Sequence, residues 1–191
     1  MTEKFHGVIP PVVTPLTADG EVDVVSFERS LNRMIEAGVD GLFTLGSSGE
    51  VAFSTDKRRR EIIETVMRIV DGAYMAGADG SVPGLANVEA TGYVRMWKAA
   101  QAGDWATVKK EQDWLAALMR IVTVPSGVAG FGAGVGAFKT AMALLGVFDT
   151  NQMPDPVCPL KGENVEAVAR VLKEVGLTLA KTPQEVSDST K

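Results

Sequence analysis

Residues 42–54 read LFTLGSSGEVAFS: a short apolar run ends at Gly46, and Ser47, Ser48, Gly49 and Glu50 follow. Two hydroxyls and the amides of a glycine-containing turn can hold a carboxylate or phosphate oxygen. Loops at the carboxyl ends of parallel strands are where α/β folds place ligands. The same residues would also suit a tight strand-to-helix turn whose serines cap the next helix. Spacing alone leaves both readings open.

Other candidates are weaker. SGVAGFGAGVGAF, residues 126–138, matches GxGxxA at Gly132, Gly134 and Ala137. A dinucleotide loop must follow its strand at once inside a βαβ unit. Here helical patterns flank the segment, so it reads as a helix–helix connection. One cysteine, Cys158, excludes an internal disulfide framework, and the single histidine, His6, has no ligand cluster near it. No metal or cofactor is expected. The basic run Lys57–Arg60 is followed by Glu61 and Glu64 and reads as a solvated helix face. Trp97, Trp105 and Trp114 fall on successive helical patterns and read as a core seam. The net charge is −5, with basic residues scattered, which speaks against nucleic acid or an anionic membrane as partner. No apolar run reaches the ~18 residues of a membrane span, and no leader pattern opens the chain, so a cytoplasmic location is expected.

The elements that must position the motif come next. GVIPPVVTPL, residues 7–16, is β-branched but interrupted by prolines, and reads as an irregular strand. Asp23 can cap a helix carrying Phe27, Leu31, Met34 and Ile35 on one face, ended by Gly38. VDGLFTLG reads as a short buried strand. STDKRRREIIETVMRIV reads as a second helix, with Ile62, Val66, Ile69 and Val70 on one face. The start is thus βαβα, which implies parallel strands. DGAYMAGADG then reads as a short helical piece and SVPGLANV as one more strand. Helical patterns follow over residues 94–102, 105–122, 137–145 and 164–175. The polar tail from Thr182 reads as disordered.

These residues resemble a known family. GVIPPVVTPLTADGEVD, GVDGLFTLGSSGE, MAGADGSVPGLANV, FKTAMALLGV and DPVCPLKGENVEAVARVLKEVGL look, in that order, like the dihydrodipicolinate synthase and N-acetylneuraminate lyase family. The resemblance implies a (β/α)8 barrel with extra C-terminal helices, a homo-oligomer, and no metal. It implies class I aldolase chemistry, in which a lysine forms a Schiff base with pyruvate or another small 2-oxo acid. By the same match Ser48, Gly49 and nearby amides grip the substrate carboxylate. Ser47 stands for a proton-relay hydroxyl, and Val82 falls where the last strand lines the pyruvate pocket.

The match has a gap. After the second helix, Val70 leads straight into the segment that resembles the approach to the last strand, with Asp71-Gly72 at the join. Strands three to seven have no counterpart, and in the family that block carries the Schiff-base lysine and the catalytic tyrosine. Lys57, Lys98, Lys109, Lys110, Lys139 and Lys173 fall on helical patterns, and no lysine ends a strand. Tyr74 and Tyr93 also read as helical. The fold expected is therefore a truncated barrel of about three parallel strands, ordered last, first, second, plus C-terminal helices. Residues 1–92 form the barrel part, 93–180 the helical part and 181–191 the tail. Such a chain is expected to lack turnover. It reads first as a non-functional deletion product of a lyase gene, and alternatively as a remnant that binds a small carboxylate or assembles into oligomers through its open edges.

Overall fold

The computed structural model describes residues 7–69 and 82–190. His6, the join at Asp71-Gly72, Tyr74 and the helical piece read over residues 71–80 lie outside the described residues.

Helix α1, Val24–Ala37, begins where the Asp23 carboxylate accepts from the Ser26 amide at 3.0 Å. It ends at Gly38, whose φ of 83° is the left-handed turn that glycine takes without a Cβ clash. Phe27, Leu31 and Met34 repeat at helical spacing and are buried against Ile62 and Val66 of α2, Asp56–Ile69. Val12, Val22, Ala86 and Ala90 complete this smaller core.

The larger core is built around α5, Gly134–Leu144, in which every residue from Val135 to Leu144 is buried. A helix apolar on nearly all sides belongs inside a domain. α4, Trp105–Met119, and α6, Glu163–Glu174, add Leu115, Leu118, Val165, Val168 and Leu172 to that core. α3, Ala90–Gln101, packs against α4 and runs through the expected boundary at residue 92. Its Tyr93 touches both cores, and burial raises the pKa of the phenol. Val12 faces the smaller core and Val13 the larger, the alternation of an extended segment.

The expected three-stranded parallel sheet is not formed among the described residues. What remains between the first two strand-like segments is a parallel bridge, Pro11 with Phe43. Asp40 N donates to Val8 O at 2.9 Å, Phe43 N to Pro10 O at 2.9 Å and Val12 N to Phe43 O at 2.8 Å. The direction and adjacency are those of a strand pair, but Pro10, Pro11 and Pro15 have no N–H to extend a ladder. Phe43 is 50% exposed, so this segment is not the buried strand expected. In SVPGLANV, Gly84–Asn87 is a turn of 3₁₀ helix rather than a strand. The Asn87 side chain takes over the pairing: its Oδ1 accepts from Val13 N, and its Nδ2 donates to Pro11 O and Gly84 O, each at 2.8 Å.

Two further expectations are corrected. The tail forms α7, Pro183–Asp188, with a reciprocal cap between Thr182 and Glu185 and Val186 fully buried. The tryptophan seam does not form: Trp114 packs on the larger core and donates its indole N–H to Val175 O, whereas Trp105 is 69% exposed. Trp105 is the first residue of α4, where a side chain has no preceding turn to lie on.

Candidate functional site

The GSSGE loop is bracketed by strain. Leu45, at φ 56°, and Glu50, at φ 58°, are the non-glycine residues in the left-handed region among the described residues. Each costs roughly 1–2 kcal/mol for an L-residue, and such conformations persist where the surroundings fix them. The surroundings here are tight. Thr14 Oγ1 donates to Gly49 O at 3.2 Å, Glu50 N to Ser47 O at 3.1 Å, and Ser54 Oγ to Glu50 O at 3.2 Å. A Cβ on Gly49 would lie 3.1 Å from both Leu45 N and Val12 O. Those are backbone atoms, which cannot turn aside. Gly49→Ala should therefore open the loop, costing about 1–3 kcal/mol in chemical denaturation.

Within the loop Ser47 is exposed, Ser48 half-buried, and Gly49 and Glu50 buried. The serines do not cap α2. A 3₁₀ turn, Val51–Phe53, intervenes, and the Thr55 hydroxyl accepts from Arg58 N at 3.2 Å at the helix start. Ser47 and Ser48 are thus free of the structural role that the sequence left open. Val82 is 56% exposed. The residue of its segment that stands beside the loop is Gly84, where a Cβ would approach Ser48 Oγ at 3.8 Å and the Phe138 ring at 2.9 Å.

Behind the loop lies a residue that the sequence reading placed only on a helix. Lys139, in the middle of α5, is wholly buried, and its Nζ sits 2.5 Å from Glu50 Oε2. The same ammonium donates to Gln152 O at 3.0 Å. Burial raises the pKa of the Glu50 carboxyl and lowers that of the Lys139 ammonium, and the opposite charge of each partner pulls the other back. The signal was present in FKTAMALL, a single charge in an otherwise apolar helix, which demands a buried partner.

The basic run divides. Lys57 is 82% exposed, as a solvated face requires. Arg58 turns inward, donating to Gly20 O and to Phe53 O, and Arg59 donates to Val51 O at 3.2 Å. Arg58 helps to line a cleft of about 460 Å³ between the turn Ala18–Glu21, Phe53, Thr55 and residues 152–155. Ser47 and Ser48 do not line it. Ala133 and Gly134, in the glycine-rich stretch, lead directly into α5. No group of three or more His, Cys, Asp or Glu side chains able to hold a metal occurs among the described residues. No described helix is long and apolar enough to cross a membrane.

A family model, that of the dihydrodipicolinate synthetase family, matches residues 4–75 and 73–175. The chain is 40% identical over 68 residues to 4-hydroxy-tetrahydrodipicolinate synthase of Salinibacter ruber; the match takes in 36% of this chain and 22% of that enzyme. It is 43% identical over 67 residues to the putative 2-dehydro-3-deoxy-D-gluconate aldolase YagE of Escherichia coli, 35% of this chain and 22% of that protein. The matched stretches thus take in about a fifth of the length of these two relatives. Among solved structures it resembles dihydrodipicolinate synthase of Thermotoga maritima, with a TM-score of 0.77 at 17% identity, over 91% of this chain and 99% of the other. It also resembles YagE in complex with pyruvate, with a TM-score of 0.70 at 18% identity, over 91% and 99% of the two chains. At such identities the likeness is one of fold, and it is TIM-barrel-like.

Proposed function

Because this chain belongs to the dihydrodipicolinate synthetase family, we propose that its loop 46–50 holds the carboxylate of pyruvate or another small 2-oxo acid. The observation that carries this reading is the strain at Leu45 and Glu50, which flanks the two hydroxyls and nothing else described. A fold retains left-handed leucine and glutamate where a fixed loop shape is needed. In this reading the Ser47 and Ser48 hydroxyls and the loop amides other than that of Glu50, which is engaged by Ser47 O, serve as the donors to one anion. A carboxylate fits such a set, since hydrogen bonds to a charged acceptor are the stronger kind. The structure of YagE with bound pyruvate supports the choice of ligand.

The parent chemistry is a pyruvate Schiff base followed by aldol addition or cleavage. In this chain the reading is binding without turnover. A Schiff-base amine must be reachable and able to lose its proton. Lys139, the only buried lysine among the described residues, is enclosed and engaged by Glu50 and Gln152 O. Ser47 then acts as a donor to the ligand rather than as a relay, since neither tyrosine of the chain matches the catalytic position. Val82 would lie at the rim of the site.

Pyruvate titration followed by NMR should show saturable binding to the intact chain, and Ser48→Ala should weaken it about tenfold. Intact mass after pyruvate and borohydride should be unchanged. A chain that does not bind pyruvate removes the carboxylate reading, and a pyruvyl adduct removes the reading of binding without turnover.

A second reading, self-association, is favoured by the exposure of Phe43, in the first segment matched by the family model, and of Val82, in the second. Exposed apolar groups of this size at a former strand neighbourhood suit a second copy of the chain. Sedimentation velocity should then show concentration-dependent dimers or larger species, and a monomer at all concentrations would end that reading.

A further inference from the structure

The geometry points to Lys139 as a positioning residue, whose tie to Glu50 clamps the 46–50 loop in the strained form that receives a carboxylate. This rests on the reading of that loop as a carboxylate grip. Glu50 sits in the left-handed region, where a glutamate backbone gains nothing on its own account. Its side chain is 3% exposed, and its carboxylate is 2.5 Å from Lys139 Nζ. Lys139 cannot follow a loop that moves, because α5 is enclosed on every side. The ammonium is fixed a second time by Gln152 O. The neighbouring residue Asn151 is tied back to α5 and beyond, donating from Nδ2 to Thr140 Oγ1 at 2.9 Å and to Leu160 O at 2.8 Å. Loop, Glu50, Lys139 and the 151–152 segment therefore form one connected support, with the rigid helix as its anchor. A reactive site held by such a second layer of contacts loosens when that layer is removed, even if the groups that touch the ligand remain.

The test compares the intact chain with Glu50→Gln/Lys139→Met, which removes both charges at nearly constant volume. Amide hydrogen exchange of the segment 45–54 and pyruvate titration are measured on each. In the double variant the melting temperature should stay within a few degrees of wild type, loop amides should exchange about tenfold faster, and pyruvate should bind about tenfold more weakly. Wild-type loop exchange in the folded double variant overturns the inference, whether or not the parent chain binds pyruvate. Faster exchange with no pyruvate binding by the parent chain overturns the carboxylate reading and leaves the clamp standing. Glu50→Leu/Lys139→Met, which likewise leaves neither charge of the pair behind, gives the same comparison should the first double variant not fold, and wild-type loop exchange there overturns the inference as well. A pyruvyl adduct on Lys139 after borohydride would also overturn it, by making the lysine a nucleophile.

Discussion

Lys139→Met should lower the unfolding free energy by about 3–5 kcal/mol, whereas Glu50→Gln/Lys139→Met should cost no more than about 1 kcal/mol. The asymmetry follows from where the charges lie. In the single variant the Glu50 carboxylate stays at 3% exposure with its counter-charge removed. Neither Glu50 oxygen has a well-aligned hydrogen bond among the described residues, so the lysine charge is its main compensation. A buried, uncompensated ion is among the few defects that cost this much in one substitution. In the double variant neither charge of the pair remains to be solvated, Arg58 beside it keeps its bonds to Gly20 O and Phe53 O, and the thioether fills the lysine's track through α5.

Chemical denaturation of the three proteins checks this. For a chain of this size the single variant should melt about 10 °C lower. A loss below about 1 kcal/mol for Lys139→Met would mean that Glu50 is already protonated in the fold. That is the direction in which burial drives its carboxyl. The pair would then be a neutral hydrogen bond, and the clamp would act through geometry rather than charge.

The helices were the legible part of this chain, for reasons visible residue by residue. Asp23 and Gly38 are strong punctuation, and the Phe27–Leu31–Met34 face needs only a 3.6-residue period to be recognised. The strands are the less legible part, because the apolar, β-branched composition of residues 7–16 points to a strand while its three prolines remove ladder donors. A proline-broken segment can lie parallel to its neighbour without building a ladder. Polarity alone points to a disordered tail, although TPQE carries a capping box with proline at the first helical position. In the candidate site the hydroxyls and glycines could be read from spacing. The left-handed Leu45 could not, because leucine carries no preference for that region and only tertiary packing holds it there. Lys139 was legible as an anomaly, a charge in an apolar helix, but its partner 89 positions away was not. Sequence spacing reports what lies on one face of one element. It says nothing of which faces meet.

Asn87→Leu should be the second severe substitution, costing about 3–5 kcal/mol, and its cause is backbone rather than charge. Asn87 is 1% exposed and stands where a neighbouring strand would otherwise pair with the first segment. Its amide accepts from Val13 N and donates to Pro11 O and Gly84 O, all at 2.8 Å. Leucine fits the volume but leaves those groups with nothing to bond, and Val13, at 0% exposure, has no route to water. Each buried orphan costs about 1–3 kcal/mol, so two or three of them account for the figure. Asn87→Asp separates the components. It keeps the acceptor for Val13 N and loses both donors, and its carboxylate faces two carbonyl oxygens. That repulsion holds the new carboxyl above the ordinary ~3.9 of aspartate. The folded state of this variant then binds its proton more tightly than the unfolded chain. Its stability should rise as pH falls through the raised value and decline as pH increases, opposite to a salt-bridged aspartate. Pyruvate binding should weaken alongside stability in both variants, because Gly84, tethered by the same amide, stands beside Ser48. Equal pH profiles for Asn87→Asp and the parent chain would show that the amide donors are dispensable, and that Arg33, donating to Val88 O at 2.7 Å, holds this turn instead.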